Sequence, residues 1–166
     1  IPVGVMVDVP GSKYRTGPLA SGVVDLKAGD LLTLTSRDLV GTQDLISVSP
    51  PGIHRDARPD HPILVDDGLI ELRTTEIKGN DVRCEVVVGG RVTERRGVNT
   101  PGRAPSQPFP DKITADALRF AAEHQADFVA LSTVTTDADI SAARKILAEH
   151  NASPDIISKI ERAEAL

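Results

Sequence analysis

Aromatic side chains are scarce in this 166-residue chain: one Tyr, three Phe and no Trp. That scarcity argues against a stacking platform for nucleic-acid bases. The single cysteine, Cys84, excludes an internal disulfide, and its strand-like surroundings mark it as packing material. No apolar run approaches the ~18 residues of a membrane span, and no signal peptide precedes the first strand-like segment. No block of like charge offers a nucleic-acid or membrane surface. What remains is ordinarily globular: 40% hydrophobic, 26% charged, formal net charge −5, as expected of a soluble cytoplasmic protein. The chain opens on Ile1 without a Met and runs directly into strand-like residues, so it reads as a segment of something longer.

Three zones follow one another. Residues 1–17 read as a buried strand from Ile1 to Val7, then a polar, Gly-punctuated loop from Asp8 to Gly17. Residues 18–105 hold short alternating runs: 31–35, 62–65, 69–73 and 82–88 read as strands. Asp66-Asp67-Gly68, Gly79-Asn80-Asp81 and Gly89-Gly90 read as their turns. Many short strands at close spacing predict a small antiparallel barrel. The stretch Ser49 to Pro62, with four prolines and two histidines, reads as an exposed loop in which His54 and His61 are solvated rather than metal-bound. A Pro-rich linker, 105–110, leads into residues 106–166. There Thr114 is the predicted N-cap of a helix to about Glu123, with Asp116 in its first turn. Strand 127–132, an amphipathic helix 137–149 with Ile140, Ala143 and Leu147 on one face, and strand 155–160 make a βαβ unit. A strand, an inserted all-β module and resumed βα units predict an α/β barrel interrupted by a lid.

The last strand ends Ile157-Ser158-Lys159-Ile160-Glu161. Alternation puts Lys159 and Glu161 on one face, roughly 7 Å apart at ~3.3 Å rise per residue. An ammonium beside a carboxylate at the carboxyl end of a parallel strand is where α/β folds place chemistry. The plain alternative is a strand-end ion pair.

Five segments in order resemble the middle portion of pyruvate kinase. Asp8, Gly11, Arg15, Thr16 and Gly17 are similar to its Asp-x-x-Gly-x-x-x-Arg-Thr-Gly signature. Residues 65–70 and 96–102 are similar to two segments of its B-domain lid, Ala130-Leu131-Ser132 to the next barrel strand, and residues 156–161 to the strand bearing its catalytic lysine. The resemblance implies a partial TIM (β/α)8 barrel interrupted by an all-β lid: residues 1–17 and 106–166 from the barrel, 18–105 the lid. It implies phosphoryl transfer from phosphoenolpyruvate to ADP, giving pyruvate and ATP in glycolysis, by a cytoplasmic homotetramer using Mg²⁺ or Mn²⁺.

On the matching positions, Lys159 is the catalytic lysine, Glu161 a ligand of the divalent ion, and Arg15 and Arg96 hold nucleotide phosphates. Arg96 stands where the family usually has Lys, and its alternative is a solvated basic turn with Arg91, Arg95 and Arg103. Asp8 matches a ligand of the monovalent-cation site, with Val9 where Thr is usual. Lys13 stands where K⁺-dependent members carry Glu; the resemblance implies that its tethered ammonium replaces K⁺, although Thr16 is the residue of K⁺-dependent members. Thr133 and Thr135 replace a common Phe and Arg. The family draws further groups from segments this chain lacks, so the 166-residue piece alone is expected to be inactive. Two other readings stand beside this one: a non-catalytic relative or isolated lid module binding nucleotide phosphate or a partner, and another phosphoenolpyruvate/pyruvate barrel enzyme. The second of these lacks an inserted barrel with the Asp66-Asp67-Gly68 and Gly97-Val98-Asn99 segments.

Overall fold

The computed structural model describes residues 3–11, 13–102, 106–161 and 165; Ile1, Ser12, Arg103 and Pro105, named above, lie outside them. The elements begin with β1 (Met6–Val9), β2 (Tyr14–Thr16), β3 (Val23–Leu26), β4 (Leu31–Thr35) and β5 (Leu45–Ser49), then the one-turn helix α1 (Ile53–Asp56). Next come β6 (Pro62–Val65), β7 (Ile70–Lys78), β8 (Asp81–Val88), β9 (Gly90–Thr93) and β10 (Gly97–Asn99). Helix α2 (Lys112–Glu123), β11 (Phe128–Leu131), α3 (Asp137–Glu149) and β12 (Asp155–Ser158) follow. They form two compact units, Lys13–Ser106 and Ile1–Ser12 with Gln107–Leu166. No helix among the described residues is long and apolar enough to cross a membrane.

In the unit Lys13–Ser106 seven strands close into a barrel in the order β10-β2-β5-β4-β8-β7-β6. Neighbours are antiparallel except β4 and β5. Period-2 alternation fills the interior: Ile70, Leu72 and Thr74 of β7 and Val82, Cys84 and Val86 of β8 are all buried. Burial pushes the Cys84 thiol up to about 12. β3 and β9 form a separate two-stranded ribbon. Four of these strands, β3, β5, β9 and β10, and also β2, fall where no strand was expected; β2 interrupts the polar loop placed at Asp8 to Gly17. Closure explains β2 and β10: each bridges two neighbours, and without them the ladder would stay open. The Ser49 to Pro62 stretch is also more structured than an exposed loop, because α1 buries Ile53 and Asp56.

In the other unit β11 lies between β1 and β12, all parallel, with Val7, Val129 and Ile156 in register. Leu118 and Ala121 of α2, Ala143 and Leu147 of α3, and Val9, Val129 and Leu131 of the sheet form the core. The first strand starts at Met6, opposite Phe128, and residues 3–5 ahead of it are not strand, although the Val5 carbonyl accepts from the Asp127 and Phe128 N–H groups. The N-cap of α2 is Asp111, not Thr114: its Oδ1 accepts from the Thr114 N–H at 2.7 Å. Thr114 is buried instead, donating its hydroxyl to the Pro10 carbonyl at 3.0 Å. Asp116 therefore lies beyond the first turn, paired with Lys112 and Arg119, which hold its carboxyl below the usual range, Lys112 foremost. Thr136 caps α3 with Asp139 closing a capping box. β12 ends at Ser158, so Lys159 and Glu161 lie beyond the strand that was expected to carry them.

Candidate functional site

The three parallel strands end together. Leu131 is in register with Val9 on one side and Ser158 on the other, which brings Asp8, Ser132 and Lys159 to the carboxyl ends of the sheet. One further backbone bond, Lys159 N–H to the Leu131 carbonyl at 2.9 Å, carries the ladder past β12. Lys159 Nζ donates to Asp8 Oδ1 at 2.9 Å and Oδ2 at 3.2 Å, and to Ser132 Oγ at 2.8 Å. The Ser132 hydroxyl donates in turn to Asp8 Oδ1 at 3.2 Å. Glu161 Oε1 stands 3.6 Å from Lys159 Nζ. The tips of Lys159 and Glu161 thus meet, as the strand-end reading expects, although the backbone that carries them is no longer strand. Ser132 enters the cluster without a role assigned from sequence; its place directly after β11, in the Ala130-Leu131-Ser132 segment that resembles a barrel strand, was the signal that could have found it.

Gly11 keeps the neighbouring loops close. A Cβ on it would lie 2.6 Å from the Ser132 carbonyl oxygen and inside the Thr133 side chain, so the loop after β1 rests against the loop after β11. Thr133 itself holds a φ of 55°, a strained choice for a β-branched residue. This close approach sets Asp8 beside Ser132.

Asp8, first by its hydrogen bond, raises the Lys159 pKa above its ordinary value; Glu161 adds to this, and desolvation opposes it. Lys159 is therefore a cation across the neutral range. A lysine so placed is suited to stabilising a developing anion and unsuited to proton abstraction.

In the unit Lys13–Ser106, Thr16 fastens β2 to the turn between β9 and β10. Its N–H donates to the Arg96 carbonyl at 2.9 Å, and its carbonyl accepts from the Arg95 N–H at 2.9 Å. Its hydroxyl donates to the Thr93 carbonyl and accepts from the Arg96 N–H, each at 2.8 Å. Two arginines singled out from the sequence are thereby drawn to one place. Arg15 Nη1 donates to the Arg95 carbonyl at 3.1 Å. Arg96 lies 3.3 Å from Asp66 Oδ1 and donates from Nε to Thr93 Oγ1 at 2.7 Å. Gly17 leaves room for β5, since a Cβ there would run into the Ser47 side chain. Lys13 is exposed just ahead of β2.

No cluster of three or more His, Cys, Asp or Glu side chains gathers among the described residues. His54 faces Ser36 Oγ and His61 the Pro59 carbonyl, each at 3.0 Å. The donor chemistry beside Lys159 does fit a hard divalent cation: Glu161 offers carboxylate oxygen, and one or two protein carboxylates with substrate oxygens and water satisfy Mg²⁺.

A family model described as the barrel domain of pyruvate kinase matches residues 1–166. The pyruvate kinase of Corynebacterium glutamicum is 37% identical over 164 residues, covering 99% of this chain and 34% of its own length. Those of Clostridium perfringens and Thermotoga maritima are 35% and 34% identical over 164 and 165 residues, covering 98% and 99% of this chain. The chain spans about a third of the length of these relatives, 35% for the latter two. A match along every residue, with a lysine–carboxylate cluster at the ends of a parallel sheet, leads to one conclusion: the chain belongs to the pyruvate kinase family.

Proposed function

We propose that the protein to which this chain belongs transfers the phosphoryl group of phosphoenolpyruvate to ADP, giving pyruvate and ATP. The observation that carries this reading is the Lys159 ammonium held by Asp8, Ser132 and Glu161 at the carboxyl ends of β1, β11 and the segment after β12. In the reaction the P–O bond of phosphoenolpyruvate breaks and a new one forms to the terminal phosphate oxygen of ADP. The enolate left behind takes a proton at its methylene carbon. Negative charge moves among phosphoryl and enolate oxygens, and a fixed cation there lowers the barrier by electrostatic stabilisation. Lys159 supplies that cation, oriented by Asp8 and Ser132. Glu161 would hold Mg²⁺ or Mn²⁺, whose charge would neutralise phosphoryl oxygens. Arg15, with Arg96 beside it, takes the nucleotide phosphates; the guanidinium fork suits phosphate, and Arg96 exchanges its Asp66 contact for it. Lys13 supplies the positive charge that K⁺ would otherwise bring. The parent is a cytoplasmic homotetramer in this reading.

The test is a full-length assay with phosphoenolpyruvate, ADP and Mg²⁺. Pyruvate formation is expected, falling roughly 100- to 1,000-fold in Lys159→Met and unresponsive to KCl at constant ionic strength. A full-length protein that folds, binds ADP and forms no pyruvate would favour the non-catalytic relative instead. The 166-residue chain alone is expected to show no turnover.

A further inference from the structure

The one tyrosine in this aromatic-poor chain is committed to a buried polar contact. Tyr14 opens β2 in the barrel core, and its hydroxyl donates to Asp56 Oδ2 at 2.6 Å. The Ser106 N–H donates to both oxygens of the same carboxylate at 3.1 Å. Asp56, at the end of α1, is 3% exposed. Taking a carboxylate out of water is costly unless donors satisfy it, so a site of this kind is kept only where both its donors are held in place.

The position of those donors gives the contact its meaning. Tyr14 and Ser106 stand at the two ends of the unit Lys13–Ser106. The entering strand and the departing segment are therefore fastened to a single interior carboxylate. One residue after Tyr14 comes Arg15, and two after it Thr16, whose four hydrogen bonds grip the turn bearing Arg96. The Arg15 side chain is exposed, so the place of its guanidinium follows that of the β2 backbone.

The geometry points to Asp56 as a positioning residue for the nucleotide-phosphate arginines: by clasping Tyr14 and Ser106 it fixes the start of β2, and through β2 the placement of Arg15 and Arg96. This rests on the nucleotide reading of those arginines above. Asp56 touches no substrate in it.

Two conservative variants of the full-length protein test the clasp. Asp56→Asn keeps the shape and removes the charge; Tyr14→Phe keeps the ring and removes only the hydroxyl. In both, the KM for ADP is expected to rise about tenfold, the loss of one hydrogen bond to a charged group, while the KM for phosphoenolpyruvate stays put. Amide exchange at Thr16, whose N–H is bonded to the Arg96 carbonyl, is expected to quicken. Three results would overturn the inference. These are an unmoved ADP KM with a lowered Tm, an equal rise in both KM values, or failure of both variants to fold. If the wild-type protein forms no pyruvate, the functional reading falls separately. Titration calorimetry with ADP then decides the clasp: weaker binding with faster Thr16 exchange sustains it, and unchanged values end it.

Discussion

Seven short strands close on themselves in the unit Lys13–Ser106, whereas the three parallel strands of the other unit leave β1 and β12 as edges. The barrel finds a partner for each of its seven strands on both sides and buries a continuous interior. The open sheet buries one face under α2 and α3 but keeps Met6, Phe128 and Ile157 at least partly in solvent, at 55%, 37% and 44% exposure. Arg15 and Arg96 lie in the unit whose ladder closes, and the Lys159 cluster, proposed above as the phosphoryl-transfer site, lies at the carboxyl ends of the parallel strands.

That contrast can be broken by mutation. Leu72 in the barrel and Leu118 under the open sheet are both 0% exposed. Leu72→Ala is expected to cost about 4 to 5 kcal/mol, towards the upper end for core leucines, because a closed barrel cannot collapse around the cavity. Leu118→Ala should fall nearer 2 to 3 kcal/mol, since an open sheet can relax. Urea titrations of the two variants compare them, and a larger loss at Leu118 would reverse the argument.

The pH dependence sharpens the same comparison within the barrel. Burial raises the Cys84 thiol to about 12, against an ordinary value near 8.5. The folded state therefore holds a proton that the unfolded chain releases. This contribution is fully present below about pH 8.5 and drains away as pH climbs towards 12, by at most about 1.4 kcal/mol per pH unit. Cys84→Ala should flatten that part of the stability–pH curve and leave neutral pH unaffected by titration. The smallest expected effect is at the cap of α2: Asp111→Ala should cost about 1 kcal/mol and Thr114→Ser far less at that cap, read from thermal unfolding. An unmoved Tm in Asp111→Ala would overturn its capping role.

Three of the expected strands are plain in the chain, whereas β7, expected over 69–73, runs on to Lys78. Leu31–Thr35 and Pro62–Val65 have the expected bounds, and the alternation of β8 is plain in its residues. β2 and β10 were hidden because each is three residues long and polar, and only barrel closure gives them partners. The cap of α2 was misassigned since Asp111 and Thr114 are both competent caps three residues apart, and burial of Thr114 decided between them. At the Lys159 cluster, spacing brought out Lys159 and Glu161 because they share one segment. Ser132 joins from the end of another strand, β11, and that convergence follows from the register of the sheet.

Fastening Tyr14 and Ser106 to one carboxylate has a consequence for how such a protein can be rebuilt. A module whose entrance and exit answer to the same anchor keeps its two ends together from within, as an exchangeable cassette must. A cousin put in its place would need an interior carboxylate of its own where this one has Asp56.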